Sequence, residues 1–134
     1  MEGHRDSFGN WCSRLVAPAG EFSRGTDAIV RDPGASDPID LNALQLRVQH
    51  LPAEALQFMF GSSYCETDRL SDDAWRLYGH TPLGLPRVQA ICDFVHNQMA
   101  FGYEHSRTAS DAYTECRGVC RDFAHLAVAF CRAA

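Results

Sequence analysis

The sequence predicts an α+β fold that is mostly helical after a short N-terminal β-hairpin. Three observations predict it: an extended pattern near the N-terminus, a break rich in proline, glycine and acids over residues 31–42, and helical periodicity from Leu51 onward. With 134 residues, 46% of them hydrophobic, the chain has enough apolar material for one core. We therefore expect a β region and linker over residues 1–42 and a helical region over residues 43–134.

The N-terminal region predicts two strands. Residues 11–17 and a second extended run through residues 28–30 flank Pro18-Ala-Gly20, which is typical of a turn. The turn-like Phe8-Gly9-Asn10 stands before the first strand, so one edge of this small sheet is expected to be unpaired.

Two short helices are predicted after the linker. Pro52 suits the first turn of one helix, which Gly61 ends. The other begins at Ser71, a good N-cap followed by two aspartates, and runs to Gly79. Its expected anchors in the core are Trp75 and Tyr78.

A third helix is predicted to begin near Pro86 and to break at Gly102. Its apolar residues are spaced for one buried face, made of Val88, Ile91, Cys92, Val95 and Met99.

The last helix carries the chemistry, because a glycine turn delivers Cys120 to its first residue. Exposed amides and the positive end of the helix dipole favour a thiolate there, so Cys120 is placed as a nucleophile. The buried stripe predicted for this helix is Phe123, Ala124, Ala127, Val128 and Cys131. The six cysteines carry no export signal and no small-scaffold spacing, which predicts reduced thiols.

Charge and hydropathy exclude several functions. The net charge is −5, and the 12 basic residues are scattered, which argues against a nucleic-acid partner. No apolar run is long enough to span a bilayer, and the N-terminus lacks the apolar segment of a signal peptide. The sequence therefore predicts a cytoplasmic protein with no membrane association, no metal and no cofactor.

The motif Arg117-Gly-Val-Cys-Arg-Asp-Phe-Ala-His125 resembles the nucleophile motif of the transglutaminase-like superfamily, in a bacterial branch often labelled as cysteine proteases. Four further segments are similar to that branch: Ser63-Tyr-Cys-Glu-Thr-Asp68, residues 88–95, Phe101-Gly-Tyr-Glu-His105, and the stretch from Phe8-Gly-Asn to Ala17-Pro18. The resemblance covers nearly the whole chain.

This resemblance implies a papain-like α+β core with Cys120 as the nucleophile. Its thiolate would attack a carboxamide of a protein or peptide, and the resulting thioester would be resolved by an amine or by water. The amide of Cys120 would contribute to an oxyanion site. In the family, a histidine base and an acid follow on strands after the nucleophile helix, so we expect this chain to be truncated at both ends and inactive by itself.

The six histidines offer no clear replacement for that base. His125 lies five residues after Cys120 on the same helix, and at about 100° per residue it points well away from the thiol. His105 is not excluded by spacing, although an exposed loop histidine is the simpler interpretation. No role is assigned to His4, His50, His80 or His96.

Two other interpretations stay open. The chain is alternatively a noncatalytic interaction module, whose open sheet edge is covered by a protein partner or by self-association. A metal site made of Cys116, Cys120, His125 and Cys131 is the other alternative, but this spacing matches no common zinc pattern.

Overall fold

The computed structural model describes residues 2–40, 42–103 and 108–134. The chain divides into two compact units, Met1–Asp37 and Pro38–Ala134. Helices dominate the second unit and a small antiparallel hairpin stands in the first, which confirms the predicted α+β class. None of the helices within the described ranges is both long and apolar enough to span a bilayer.

The first unit is organised by a hairpin of β1 (Glu2–Arg5) and β2 (Trp11–Arg14), paired from Glu2 with Arg14 to Arg5 with Trp11. Asp6 closes its turn: the carboxylate accepts hydrogen bonds from the amides of Phe8 and Asn10, both at 2.9 Å. The Asn10 side chain donates a third hydrogen bond to this carboxylate, at 3.0 Å. This bond has the largest effect, and the three bonds together hold the pKa of Asp6 below its usual value.

The second strand predicted for this hairpin was wrong. Residues 28–30 lie in no strand, and Ile29 and Val30 are fully or largely exposed. Instead, residues 6–10 form the turn, and the strand before it pairs with residues 11–14. That strand, Glu-Gly-His-Arg, has neither alternation nor β-branched residues, so its sequence carries no strand signal.

The described residues of the second unit form five helices and one pair of very short strands. A 3-10 turn at Val48–His50 precedes α1 (Ala53–Leu56), α2 (Thr67–Tyr78) and α3 (Leu85–Gln98). The chain continues through β3 (Ala100–Phe101), α4 (Ala109–Glu115), β4 (Arg117–Gly118) and α5 (Cys120–Ala133). Strands β3 and β4 are parallel, with Ala100 opposite Arg117 and Phe101 opposite Gly118.

Helix α5 lies at the centre of this unit and packs against α2, α3 and α4. The Phe130 ring is fully buried in an aromatic cluster, at 5.5 Å from Tyr78, 6.0 Å from Phe94 and 5.3 Å from Tyr113 between ring centroids. All three contacts are edge-on, the geometry that the charge distribution of aromatic rings favours. The cluster therefore joins all three neighbouring helices to α5.

The side of α5 that was predicted to be buried was wrong. The buried residues are Asp122, Leu126, Ala129 and Phe130. Of the predicted stripe, Phe123 and Ala127 are half-buried, while Ala124, Val128 and Cys131 are exposed. Helix α5 is apolar around most of its circumference, so periodicity alone does not select the buried side.

Helix α2 differs from its prediction at its start and in one of its anchors. Helix α2 begins at Thr67, and the Ser71 hydroxyl donates to the Thr67 carbonyl at 2.8 Å from inside the helix, so Ser71 is not its N-cap. Tyr78 is buried as predicted, but Trp75 is 58% exposed.

Helix α3 ends at Gln98, four residues before the predicted break at Gly102. On its predicted face, Ile91, Val95 and Met99 are buried, whereas Val88 and Cys92 are exposed.

The aromatic cluster generates a stability prediction for two positions of α5. Phe130→Ala is expected to lower the free energy of unfolding by about 3–5 kcal/mol, because it removes a buried ring and leaves a cavity. Val128→Ala, two residues away and 40% exposed, is expected to change it by about 0.5 kcal/mol. Urea denaturation measures both values, and similar losses would contradict the placement of the core.

Candidate active site

The candidate nucleophile, Cys120, is the first residue of α5, and its side chain is exposed. Val119 before it is extended, with φ −95° and ψ 173°, which turns the chain into the helix. Within the described residues, Cys120 Sγ makes no hydrogen bond. The thiol is therefore open to solvent at the positive end of a 14-residue helix.

Asp122 holds this helix start from inside the protein. Its carboxylate is 2% exposed and accepts a hydrogen bond from the Val119 amide at 2.9 Å, while its own amide donates to the Val119 carbonyl at 2.8 Å. A weaker contact of 3.4 Å joins the carboxylate to Arg121, whose side chain is partly exposed. The capping role predicted for Asp122 is confirmed, and its burial ties the first turn to the core.

Gly118 makes the approach to Asp122 possible. A Cβ at this position would lie 2.6 Å from Asp122 Cβ, closer than real side chains come, and 3.1 Å from Met99 Cε, which is a tight contact. Backbone bonds from Ala100 to the Cys116 carbonyl, 2.8 Å, and from Gly102 to the Gly118 carbonyl, 3.0 Å, hold the preceding residues beside the end of α3. The glycine of the motif is thus required for packing.

An aromatic and basic cluster lies along the first turns of α5. The His125 ring stacks on Tyr64 with 5.5 Å between centroids and 24° between planes, and the Arg121 guanidinium lies 5.9 Å from the centre of the Tyr64 ring. His125 Nδ1 is buried and has no hydrogen-bond partner within the described residues. His125 therefore contributes packing here.

Tyr64 is the residue of this site that sequence reasoning missed. The segment 63–68 carries the family resemblance, but nothing local links Tyr64 to a helix more than fifty residues later. Only the packing of the helical unit brings its ring to Arg121 and His125.

Glu66, in the same segment, holds the start of α4. One carboxylate oxygen accepts from the Ser110 amide at 3.2 Å, and the Tyr64 carbonyl accepts from the Ala109 amide at 2.9 Å. The pKa of Glu66 lies below its usual value of 4.5, chiefly because the Thr108 hydroxyl bonds to the charged form, although burial opposes this. The segment 63–68 thus fixes α4, which packs on α5.

The structure gives no support to a metal site or to a role for the other histidines. His4, His50, His80 and His96 are exposed, while His105 lies outside the described residues. Across the described part of the chain, no three histidine, cysteine or carboxylate side chains are grouped as a metal site, including the proposed set of Cys116, Cys120, His125 and Cys131.

Comparison with known proteins agrees with this geometry. Residues 76–134, from the end of α2 through the whole of α5, match the family model of the transglutaminase-like superfamily. This segment is similar to transglutaminase-like proteins. The match includes Cys120 and the residues that hold it, Gly118 and Asp122.

A solved structure extends the similarity beyond that segment. It is described as a "Putative Cysteine Protease from Cytophaga hutchinsonii", is 38% identical and matches with a TM-score of 0.63. The match covers 66% of this chain and 32% of that chain, so the chain spans about a third of the length of the solved protein. Among curated proteins, none matches.

The buried carboxylate of Asp122 can be tested against an exposed carboxylate at the same helix position. Asp122→Ala is expected to lower the free energy of unfolding by about 1–3 kcal/mol, because it leaves the Val119 amide without its acceptor. Asp111→Ala is the control: Asp111 is the third residue of α4 and accepts from the Thr108 amide at 3.3 Å, but it is exposed.

The loss for Asp111→Ala is expected to be about 0.3–1 kcal/mol. Chemical denaturation of both variants gives the comparison. Equal losses would show that burial adds nothing to the role of Asp122.

The link from Glu66 to α4 predicts a pH dependence. A carboxyl whose pKa is lowered by folding stabilises the protein above its unfolded value, and this contribution is lost as the pH falls through the folded value. At pH 7, Glu66→Gln is expected to be less stable than the parent by about 0.5–1 kcal/mol. The difference should shrink as the pH falls below 4.5. Thermal unfolding at several pH values checks this, and a constant difference would contradict it.

Proposed function

We propose that this chain carries the nucleophile of a transglutaminase-like cysteine enzyme, and that Cys120 is that nucleophile. The observation that supports the proposal is the exposed thiol at the first residue of α5, held by the buried Asp122 within a segment that matches the superfamily. In general, a cysteine at a helix N-terminus is favoured as the thiolate, which is the reactive form of cysteine.

In the proposed reaction, the Cys120 thiolate attacks the carbonyl carbon of a protein or peptide carboxamide. A carbon–sulfur bond forms, the carbon–nitrogen bond breaks, and the nitrogen leaves as ammonia or an amine after taking up a proton. An acceptor amine or water then attacks the thioester and releases the thiol. These two fates correspond to acyl transfer and to hydrolysis.

Two parts of this chain are proposed to assist that reaction. The Cys120 amide is in the first turn of α5, where amides have no acceptor within the helix, and it can donate to the oxyanion of the tetrahedral intermediate. Tyr64 and Arg121 form a partly exposed surface beside the same turn. We assign this surface to substrate contact next to the thiol.

The proton-transfer groups are assigned only by resemblance, which implies a histidine and an acid that follow the nucleophile helix. Within the described residues, no histidine or carboxylate bonds to Cys120 Sγ. The direct test of the nucleophile is therefore the reactivity of its thiol and does not depend on turnover.

Cys116 offers a matched control for that test. Both thiols are exposed and they are four residues apart, but Cys116 stands at the C-terminal end of α4 and its thiol donates to the Tyr113 carbonyl at 3.5 Å. At neutral pH, iodoacetamide is expected to alkylate Cys120 faster than Cys116, by a factor of about two or more. This expectation follows from the general rule that a helix N-terminus stabilises an anion, a gain that lower intrinsic nucleophilicity partly offsets.

Peptide mass spectrometry after timed alkylation measures each thiol separately. The Cys120→Ser variant should leave the rate at Cys116 unchanged, which shows that the two sites react independently. Equal rates for Cys116 and Cys120 in the parent chain would count against an activated nucleophile.

A second candidate function is an interaction module that works without catalysis. The observation that favours it is the exposed apolar side of α5, where Val128 and Cys131 line an open groove and Ala124 is also exposed. Self-association through this side would appear in sedimentation velocity as a mass that rises with concentration. A monomer at every concentration, free of bound protein, would contradict this function.

A further inference from the structure

A second group of thiols lies in the helical unit, away from the first turn of α5. Cys92 on α3 and Cys131 on α5 line one open groove of about 510 Å³, together with Met59, Val88, Ala127 and Val128. Neither cysteine belongs to a disulfide, and both are exposed. The proposed reaction at Cys120 uses neither of them.

The packing of α3 on α5 brings these two cysteines to the same level. The helices are antiparallel, since Arg87 near the start of α3 donates to the Ala134 carbonyl at 2.5 Å, and Met99 after the end of α3 lies beside Gly118. Cys92 and Cys131 stand between these two end contacts. Val88, one turn before Cys92, lines both the large groove and a smaller one of about 190 Å³ that also includes Cys131.

The hydroxyl of Tyr78 is buried near these thiols and has no partner. Tyr78 is 3% exposed, and its hydroxyl makes no hydrogen bond within the described residues, so it bonds to neither sulfur. Burial raises the pKa of this phenol, and the neighbouring Tyr113, Cys131 and Cys92 raise it further. Buried polar groups in native proteins almost always have a partner, so this unpaired donor requires an explanation.

The surroundings of Cys131 disfavour its thiolate. Although Cys131 is partly open to solvent, the protein around its sulfur raises its pKa by desolvating the thiolate, and the nearby Cys92 adds to this effect. Cys131 is therefore a poor first nucleophile.

We propose that Cys92 and Cys131 are a redox-active pair, which hydrogen peroxide converts into a disulfide joining α3 to α5. The Cys92 thiolate attacks one peroxide oxygen, the oxygen–oxygen bond breaks, hydroxide leaves, and a sulfenic acid forms on Cys92. The Cys131 thiol then attacks the sulfenic sulfur, and the sulfur–oxygen bond breaks as water leaves. In total, two thiols lose two electrons and two protons, and one peroxide becomes two waters.

The Tyr78 hydroxyl has a defined role in this sequence of steps. It makes no hydrogen bond to either thiol, and a thiolate or a sulfenic oxygen, which accepts more strongly than a thiol sulfur, can take a bond from it once either forms. Tyr78 is thus a positioning residue for the oxidation, because it acts on the sulfur without exchanging electrons. This proposal does not rest on the function proposed for Cys120.

The test uses the fully reduced chain, treated with hydrogen peroxide, then alkylated and digested. We expect an intact mass lower by two hydrogens and a cross-linked pair of peptides containing Cys92 and Cys131. Dithiothreitol should reverse the change. The melting temperature should rise on oxidation and return on reduction, because a bridge between two packed helices restricts the unfolded chain.

Single substitutions separate the steps. Cys131→Ser should retain a sulfenic acid on Cys92 that dimedone traps, whereas Cys92→Ser should form no cross-link and little sulfenic acid at Cys131. Tyr78→Phe should slow disulfide formation about tenfold, the value of one hydrogen bond to a charged sulfur. Its melting temperature should remain close to that of the parent, since it removes only an unpaired hydroxyl.

Two control variants complete the experiment. Cys12→Ser, in the other unit, and Cys120→Ser, at the candidate nucleophile, should both form the disulfide between Cys92 and Cys131 at the parent rate. A cross-link that joins any other pair would overturn the proposal, and so would irreversible oxidation of Cys92 with no cross-link. Loss of alkylation selectivity at Cys120 would contradict the proposed function alone.

Discussion

Burial of one side of α5 is the constraint on which the helical unit depends. Leu126, Ala129 and Phe130 are fully buried, and the Phe130 ring meets an aromatic ring from each of the three helices that pack on α5. An aromatic side chain contributes more apolar area than any aliphatic one, and its edge-on contacts add directional preference. The positions of α2, α3 and α4 are therefore defined relative to α5.

The same burial determines where the candidate nucleophile is presented. Asp122 is on the buried side of α5, so its carboxylate can bond to the Val119 amide from inside the protein, while Cys120 is left on the opposite, exposed side. Gly118 has no side chain to keep the preceding strand away from Asp122. The position of the Cys120 thiol at the surface thus depends on close packing one turn beneath it.

One helix carries thiols in two different environments. Cys120 is exposed at the first residue of α5, whereas the protein around Cys131 raises the pKa of its thiol. Cys131 and Cys92 line one groove. The two environments underlie two separate proposals: attack on a carbonyl carbon by Cys120, and oxidation of Cys92 and Cys131 to a bridge.

The sequence by itself determined the class of the fold, the presence of a helix beginning at Cys120 and the capping role of Asp122. These features depend on local interactions: a glycine before the helix, an acid at its third position, and apolar residues at helical spacing. The family resemblance of residues 117–125 is local as well, and the superfamily match over residues 76–134 agrees with it. The role of Cys120 in catalysis stays a prediction.

Tertiary structure alone decided which sides are buried and which distant residues meet. Helix α5 is apolar on two sides, so only its neighbours select Leu126 and Phe130 over Val128 and Cys131 for the core. The strand that pairs with residues 11–14 has no β signal of its own and is defined by the turn at Asp6. Likewise, Tyr64 contacts His125 only because the helices that separate them in the sequence pack together. No local sequence pattern predicts such a contact.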